Sequence, residues 1–392
     1  MGQRDKEQTS NEQKNNEQES KVQGVLTEQA IWEQVDALEE PLIEAVRRLV
    51  RIDSVETPAK PGAPFGPGVK QALDEALALG RELGFSTVDL DGHIGYVEYG
   101  QGEDYVCAMG HVDVVPPGDG WRQPPFSGTL IDGTLYGRGV LDNKGPILAC
   151  LYGLYALKEL GYVPSHRIRI IFGCDEETGF EDLRYYLEKE EPPVYGFTPD
   201  CKFPVVYAER GRAVVRIWGR EPEPFYAFVT QYFIGAKNTG DRLGIDFSHP
   251  EYGVMEMRGY KLGICDGTSY FEASLSYPAG HGIQEILERI REKAEGLEVT
   301  LEQNYDPVVF DKDSPMVQAL TGCYEAVTKE EGTPVTTTGG TYAKAMPGIV
   351  PFGPSFAGQK GIGHNPNEWM KVEDLMKNAR IYALALYRLG RL

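Results

Sequence analysis

HRIRIIFGCDEETGFE, residues 166–181, decides how this chain is read. Basic and apolar residues alternate from His166 and give way to Ile170, Ile171 and Phe172, a run that predicts a nearly buried strand end. Gly173 stops the strand, and Thr178 with Glu181 reads as a capping box opening a helix. Asp175, Glu176 and Glu177 therefore sit on a strand-to-helix turn. Adjacent acids repel one another unless something cationic lies beside them. The plainer reading is a solvated turn, because acid runs are commonly solvated. On a turn, unlike in extended chain, two neighbouring carboxylates can face one cleft, so one can ligate a metal while the other handles protons.

Working outward, the same pattern recurs on both sides. The apolar run at 105–109 stops at Gly110 and His111, and the run at 194–199 ends on Asp200. In open α/β sheets ligand sites gather at the carboxyl ends of strands, so His111, Glu176, Glu177 and Asp200 together favour a metal site more than any one motif does. A metal-binding histidine needs its second ring nitrogen held; Asp113 points to the same side as His111 in extended chain and can do this, although the tripeptide alone is weak evidence. Asp142, in GRGVLDNKG (137–145), falls just before a helix N-terminus. It reads equally as an N-cap or as a carboxylate bridging two cations, and spacing does not separate these. His364 lies in the polar loop GHNPNE (363–368) before the last helix. Imidazoles and carboxylates without thiolate suit zinc, cobalt or manganese in hydrolysis; Cys174 and Cys201 flank proposed ligands and are alternatives.

The rest of the chain frames this set. Residues 28–52 read as one long amphipathic helix with Thr27 as N-cap, 69–83 as a second helix ending at Gly84, and 145–160 as a buried helix. Strands are expected near 86–90, 94–98, 104–109, 194–198 and 204–208. Ser314 and Pro315 open a helix, a Gly-rich loop spans 338–341, and a last helix covers about 372–389. Residues 212–308 are strand-rich, with one helix near 281–294, as in an α+β module inserted between two halves of an α/β domain. The domain reading is a tail over 1–27, disordered through the Gln, Glu, Asn and Lys richness of residues 1–23, then 28–211 and 309–392 as the α/β part, interrupted by 212–308.

The 392 residues carry a formal net charge of −20, which would repel phosphate backbones and argues against a nucleic-acid partner. Residues 1–23 have no apolar core of a secretory signal, and no later stretch is apolar enough to span a membrane. The six cysteines show no Cys-x-x-Cys spacing; Cys107, Cys150 and Cys174 lie in apolar runs and read as reduced buried thiols, which points to the cytoplasm.

Taken together, HVDVVPPGDGW (111–121), YGRGVLDNKGP (136–146), DEETG (175–179), TPD (198–200), GGTY (339–342) and HNPNE (364–368) resemble the dinuclear zinc aminoacylase, carboxypeptidase and dipeptidase family, most closely the bacterial PepV-type dipeptidases. The resemblance covers roughly 28–211 and 305–392. It implies a zinc-peptidase-like α/β catalytic domain with an inserted lid. It implies that His111 and Asp200 bind one zinc, that Glu177 and His364 bind the other, and that Asp142 bridges both ahead of a cis peptide to Asn143. Asp113 would orient His111, Glu176 would be the general base, and Gly340 and Thr341 would contact substrate. The ions lower the pKa of a water, and Glu176 passes its proton to the leaving amine.

The lid departs from the pattern. In the family its first strand is followed by a His-Gly-x-x-Pro motif, whose histidine completes the oxyanion site, and then by a helix. Here EPEP (221–224) follows the strand at once, the motif is absent, no helix is expected, and familiar text resumes at GDRLGIDF (240–247), so the α+β lid reads as shortened. His249 reads as a surface turn residue and His281 as a helix-start residue. Where the family has Arg-Tyr-Pro to hold the substrate carboxylate, this chain has Ser276, which offers no charged fork. The expectation is a zinc-dependent peptidase of dipeptides or short peptides, monomer or homodimer, with an N-acyl amino acid amidohydrolase and a weakly active metal-binding relative as alternatives.

Overall fold

The strand carrying the acid turn, Arg167–Gly173, lies in the middle of a six-stranded sheet. The computed structural model describes residues 25–392, so of the expected tail over 1–27 residues 1–24 lie outside the described residues. The sheet order is Ser86–Leu90, Ile94–Tyr99, Arg167–Gly173, Tyr105–His111, Tyr195–Thr198, Ile349–Pro351. The first three run antiparallel to their neighbours, and the last four run parallel. Tyr105–His111 is buried along its whole length, as a central parallel strand covered on both faces must be. The helices Lys144–Glu159 and Val372–Leu389 pack together on the sheet, and Pro67–Glu82 covers the antiparallel strands.

The register fixes where chemistry can gather. His111 pairs with Gly173 across the two central parallel strands. Their carboxyl ends, and that of Tyr195–Thr198, therefore open on one side, and His111, Glu176, Glu177 and Asp200 leave the sheet within a few residues of those ends. Gly110 allows the close approach this needs: a Cβ there would lie 2.1 Å from the Asn143 carboxamide oxygen. Asn143 instead accepts from the His111 N–H at 3.3 Å and donates to the Pro199 carbonyl at 2.6 Å, tying two strand ends together.

The inserted module has its own core, built on Ala213, Val215, Ile217, Phe225, Phe271, Leu275 and Ile286. Its order along the chain is strand Gly211–Gly219, helix Pro222–Tyr232, strands Glu256–Cys265 and Thr268–Tyr277, helix Ile283–Lys293, strand Glu298–Tyr305. All neighbours are antiparallel, with Thr268–Tyr277 and Gly211–Gly219 central, which is the split β-α-β topology. A small sheet of Val206–Glu209, Val308–Val309 and Val335–Thr337 joins the module to the rest.

Three local expectations are corrected. The N-terminal helix is two helices, Glu28–Asp36 and Glu39–Val50. Pro41 is the reason, because its ring excludes the continuous i−4 ladder through residue 37. The capping box at Thr178 does not form. Phe180 takes a left-handed conformation with φ 64°, and the helix Glu181–Leu187 begins after it; Asp175 accepts from the Glu181 N–H at 2.8 Å and so serves as the cap. The inserted module has the helix that was not expected after its first strand. Pro222 and Pro224 fall in the first turn, where their missing N–H groups have no intrahelical role, so the proline-rich text starts a helix rather than abolishing one.

Candidate metal centre

The five residues proposed as ligands and the proposed base meet at the carboxyl ends of the central strands. Ligand atoms of His111, Glu176 and Asp200 lie within 4.8 Å of one another, as do those of His111, Asp142 and Glu177. Asp142 stands between two imidazoles. Its Oδ1 is 3.2 Å from His111 Nε2, and its Oδ2 is 3.0 Å from His364 Nε2. His111 Nε2 also lies 3.6 Å from Asp200 Oδ2, and His364 Nε2 lies 3.0 Å from Glu177 Oε1. The peptide between Asp142 and Asn143 is cis. Asn143 is the N-cap residue of the following helix, without a side-chain cap bond, so Asp142 is not used as a cap.

Three buried carboxylates hold this set. Asp113 accepts from the main-chain N–H groups of Glu176 and Glu177 at 3.3 and 3.1 Å. Its carbonyl is 2.9 Å from His111 Nδ1, and its Oδ1 is 3.4 Å away, which turns Nε2 towards Asp142 and Asp200. Asp182 accepts from the N–H groups of Cys174 and Asp175 at 2.7 and 3.2 Å and from the Tyr342 hydroxyl. Glu368 accepts from the N–H groups of Gly139, Leu141 and Asp142 at 3.2, 2.8 and 3.0 Å and pairs with Arg138 at 2.7 Å. The acid turn and the Asp142 loop are thus each fixed through main-chain donors.

The donor set fits divalent cations. Burial, followed by the charge of Asp200, pushes the Glu176 carboxyl well above its ordinary range. Burial and the charge of Asp142 do the same to Asp200 and raise Glu177. Burial opposes a charged His111, but Asp113, Asp142 and Asp200 outweigh it and hold its pKa well above 6.5. Hydrogen bonds from Asp142 and Glu177 lift His364 to about 10. Burial raises Asp142 too, yet the two imidazoles outweigh it and hold that carboxyl low. Crowded carboxylates that draw protons onto both imidazoles demand positive charge at this place.

Gly340 and Thr341 precede the short helix Tyr342–Lys344, beside the strand Val206–Glu209. Thr341 is buried, and its hydroxyl and N–H both donate to Glu209, at 3.0 and 3.4 Å. Lys344 Nζ lies 3.8 Å from Glu209, and its stem packs on Gly340. The side chain of Thr341 therefore anchors its own loop. Neither of the module's histidines joins the centre. His281 stacks on Phe247 at 3.9 Å and bonds Glu285, while His249 Nδ1 accepts from the N–H groups of Glu251 and Tyr252. The Ser276 hydroxyl is buried and donates to the Thr338 carbonyl at 3.4 Å.

Glu209, Lys344, Asp182, Tyr342 and the partners of Glu368 were not found as supporting residues from sequence. HNPNE and GGTY were visible as motifs, but nothing in a linear string says that Glu368 reaches back some 230 positions to Asp142.

Comparison with known proteins agrees with this geometry. Residues 107–388 match the model of "Peptidase family M20/M25/M40", a span of well over half the chain, and the chain belongs to that family. It is an enzyme of the metallopeptidase class. The protein named "Putative dipeptidase YtjP" of Bacillus subtilis (strain 168) is 29% identical over 461 aligned positions, covering 92% of this chain and 100% of that protein. The alignment is longer than this chain, so that relative contains segments this chain lacks. The structure of human carnosine dipeptidase 1 superposes with a TM-score of 0.74 at 16% identity, covering 94% of this chain and 99% of that one. Bacillus subtilis YXEP, described as a dinuclear metal-binding peptidase, superposes with a TM-score of 0.62 at 16% identity over 90% and 99%. Among the described residues, no helix is long and apolar enough to cross a membrane.

Proposed function

We propose that this protein is a two-zinc dipeptidase, with cobalt or manganese as chemically suitable substitutes. The observation that carries the proposal is the placement of Asp142, whose two oxygens each face a different imidazole at 3.0–3.2 Å. His111 and Asp200 would hold one ion and His364 and Glu177 the other, with Asp142 placed to serve both. Bound ions of this kind supply the Lewis acidity that makes water nucleophilic near neutral pH and polarises a scissile carbonyl. Glu176 takes the proton of the attacking water and delivers it to the leaving amine. Its burial, which favours the protonated form, suits it to hold that proton between the two transfers. Asp113 keeps the His111 ring in the tautomer that presents Nε2.

Two cavities whose walls include residues of the centre support a small peptide substrate. One, of about 290 Å³, includes Asp142 and Asp200 in its wall. The other, of about 600 Å³, is lined by Glu177 and Asp113 together with Val55, Pro58, Val115 and Pro116. A bond held at the centre then has room for one residue in each. We assign residues 28–211 and 309–392 to the catalytic part and 212–308 to the lid. The free cysteines, most of them buried, support a cytoplasmic setting.

A second reading, a metal-binding relative with low turnover, draws on the engagement of His249, His281 and Ser276 elsewhere in the module. Glu176→Gln separates the two. In a dipeptidase it abolishes zinc-dependent hydrolysis of dipeptides while metal content is retained. Wild-type protein that holds two zincs and leaves dipeptides intact would overturn the dipeptidase reading, and cleavage of N-acyl amino acids in their place would point to an amidohydrolase.

A further inference from the structure

The smaller cavity beside the metal centre differs from its surroundings in charge. Besides Asp142 and Asp200, its charged lining residues are Lys202 and Lys360. Neither lysine has an acidic partner within ion-pair distance among the described residues. The proposed metal-ligand acids do not neutralise the lysines, because Asp142, Glu177 and Asp200 would be counter-charge to two divalent ions.

The fold places these lysines with some care. Lys202 lies two positions after Asp200, on the short strand Cys201–Lys202, which pairs in parallel with Pro354–Ser355 so that Lys202 stands opposite Ser355. It is half-buried. The Phe203 N–H donates to the Ser355 carbonyl at 2.8 Å, and the Gly353 N–H donates to the Lys202 carbonyl at 3.1 Å, which fixes the lysine's backbone at the cavity wall. Lys360 comes from the loop that leads directly to His364. A turn in which Gln359 and Phe356 bond each other at 2.9 and 3.1 Å shapes that loop, and the Asn365 carboxamide donates to the Gly361 carbonyl at 3.0 Å. The cavity thus runs between the strand that supplies Asp200 and the loop that supplies His364. Thr337 and Ser355 add hydroxyl groups to it.

We propose that this cavity is an anion subsite in which Lys202 and Lys360 hold a carboxylate of the substrate while the scissile amide lies at the metal centre. The proposal rests on the dipeptidase reading and names the substrate class of that same site. Two sources supply the chemistry, the terminal α-carboxylate or the side chain of an acidic residue. Ser276, whose hydroxyl is turned to Thr338, offers no charge, whereas Lys202 and Lys360 are the cations in the wall of this cavity. An ammonium within reach of a desolvated carboxylate makes a charge-assisted bond.

The test uses the zinc-loaded full chain. Hydrolysis is compared for Ala-Ala and Ala-Ala-amide, for Asp-Ala and Asn-Ala, and for Ala-Asp and Ala-Asn. At least one carboxylate is expected to be favoured over its amide by about tenfold in kcat/KM, the equivalent of one good charged contact. The favoured pair identifies the source. In the double variant Lys202→Met, Lys360→Met that ratio is expected to fall to about twofold or less, while Lys202→Arg retains it. Binding is measured separately, by calorimetry with glutarate and its monoamide, glutaramate. Both offer one carboxylate to the metals and differ only at the far end. Wild type is expected to favour glutarate by about tenfold, and the double variant to bind the two alike. If no peptide is hydrolysed, the dipeptidase reading fails and the binding comparison still decides the subsite. Equal binding of the two acids by wild type, or a preference that survives the double substitution, overturns it.

Discussion

Removing Glu368 tests whether the Asp142 loop is held as described. The side chain is fully buried, and Arg138, its ionic partner, is 1% exposed. Glu368→Ala leaves that guanidinium without its carboxylate and leaves the N–H groups of Gly139, Leu141 and Asp142 without their acceptor. Breaking a buried pair from one side destabilises by about 3–5 kcal/mol, because one charge stays desolvated and unpaired. The Asp142 loop also loses its template, and loss of such a supporting residue lowers metal affinity by about 10- to 100-fold. Urea unfolding of the metal-free protein reads the first effect, and zinc competition with a chromophoric chelator reads the second. The double variant Arg138→Met, Glu368→Met separates them. With both charges gone it should lose less stability than Glu368→Ala, yet keep the weakened zinc binding, since Leu141 and Asp142 still lack an acceptor. A Glu368→Ala protein within about 1 kcal/mol of wild type, or one that binds zinc as wild type does, would refute the reasoning.

Three further outcomes follow from the same geometry. Chelation should lower the thermal midpoint, because ions that bind only the folded state add about 2.7 kcal/mol per site at a hundredfold excess over Kd; an unchanged midpoint after verified metal loss counts against the centre. Gly110→Ala places a methyl 2.1 Å from the Asn143 oxygen, so it should destabilise by about 1–3 kcal/mol and weaken zinc binding with it, read by calorimetry and metal titration. Burial lifts the Glu209 carboxyl to about 7 from 4.5. A raised folded-state value means the native protein holds a proton that the unfolded chain releases, so this group's stabilisation is present below pH 4.5 and is lost as pH rises through 7. In Glu209→Gln the metal-free protein's fall in stability across pH 4.5–7 should therefore flatten by up to about 3 kcal/mol, and a slope identical to wild type would rule this out.

The inserted module shows how a shortened sequence keeps a topology. By resemblance the lid reads as shortened between its first strand and residues 240–247, and with EPEP (221–224) directly after the strand no helix is expected there. Prolines at the first and third helical positions carry no such meaning, and Phe225, Phe228 and Val229 behind them supply the apolar stripe that closes the module's core. Helix-on-sheet burial is therefore preserved, while the histidines that remain are held elsewhere. The proposed ligands sit at the sheet ends, in a different part of the chain from this module.

How much could be read in advance follows from how far each interaction reaches along the chain. The central strands were legible because burial on both faces forces an unbroken apolar run, and a run that ends on His111 or on Asp175 announces itself within a few residues. The ligand set was legible for the same reason, since each member closes a local motif. Pro41 was equally local, and it was overlooked because the apolar spacing on either side of it stays in phase. What periodicity does not encode is which carboxylate serves which loop. Thr178 and Glu181 have the spacing of a capping box, yet Asp175 takes the Glu181 N–H, because the turn that aims Glu176 and Glu177 at one cleft also brings Asp175 back over the helix start. Asp113, Asp182 and Glu368 are all acids that look solvated in a string of letters. Asp113 and Glu368 accept from main-chain N–H groups of distant segments, Asp182 folds back onto the turn eight residues before it, and the Asp113 contact needs the parallel strands that set His111 beside Gly173. The proposed ligands and Asp113 could thus be gathered from sequence, while Asp182 and Glu368 as their supports could be named only from the fold.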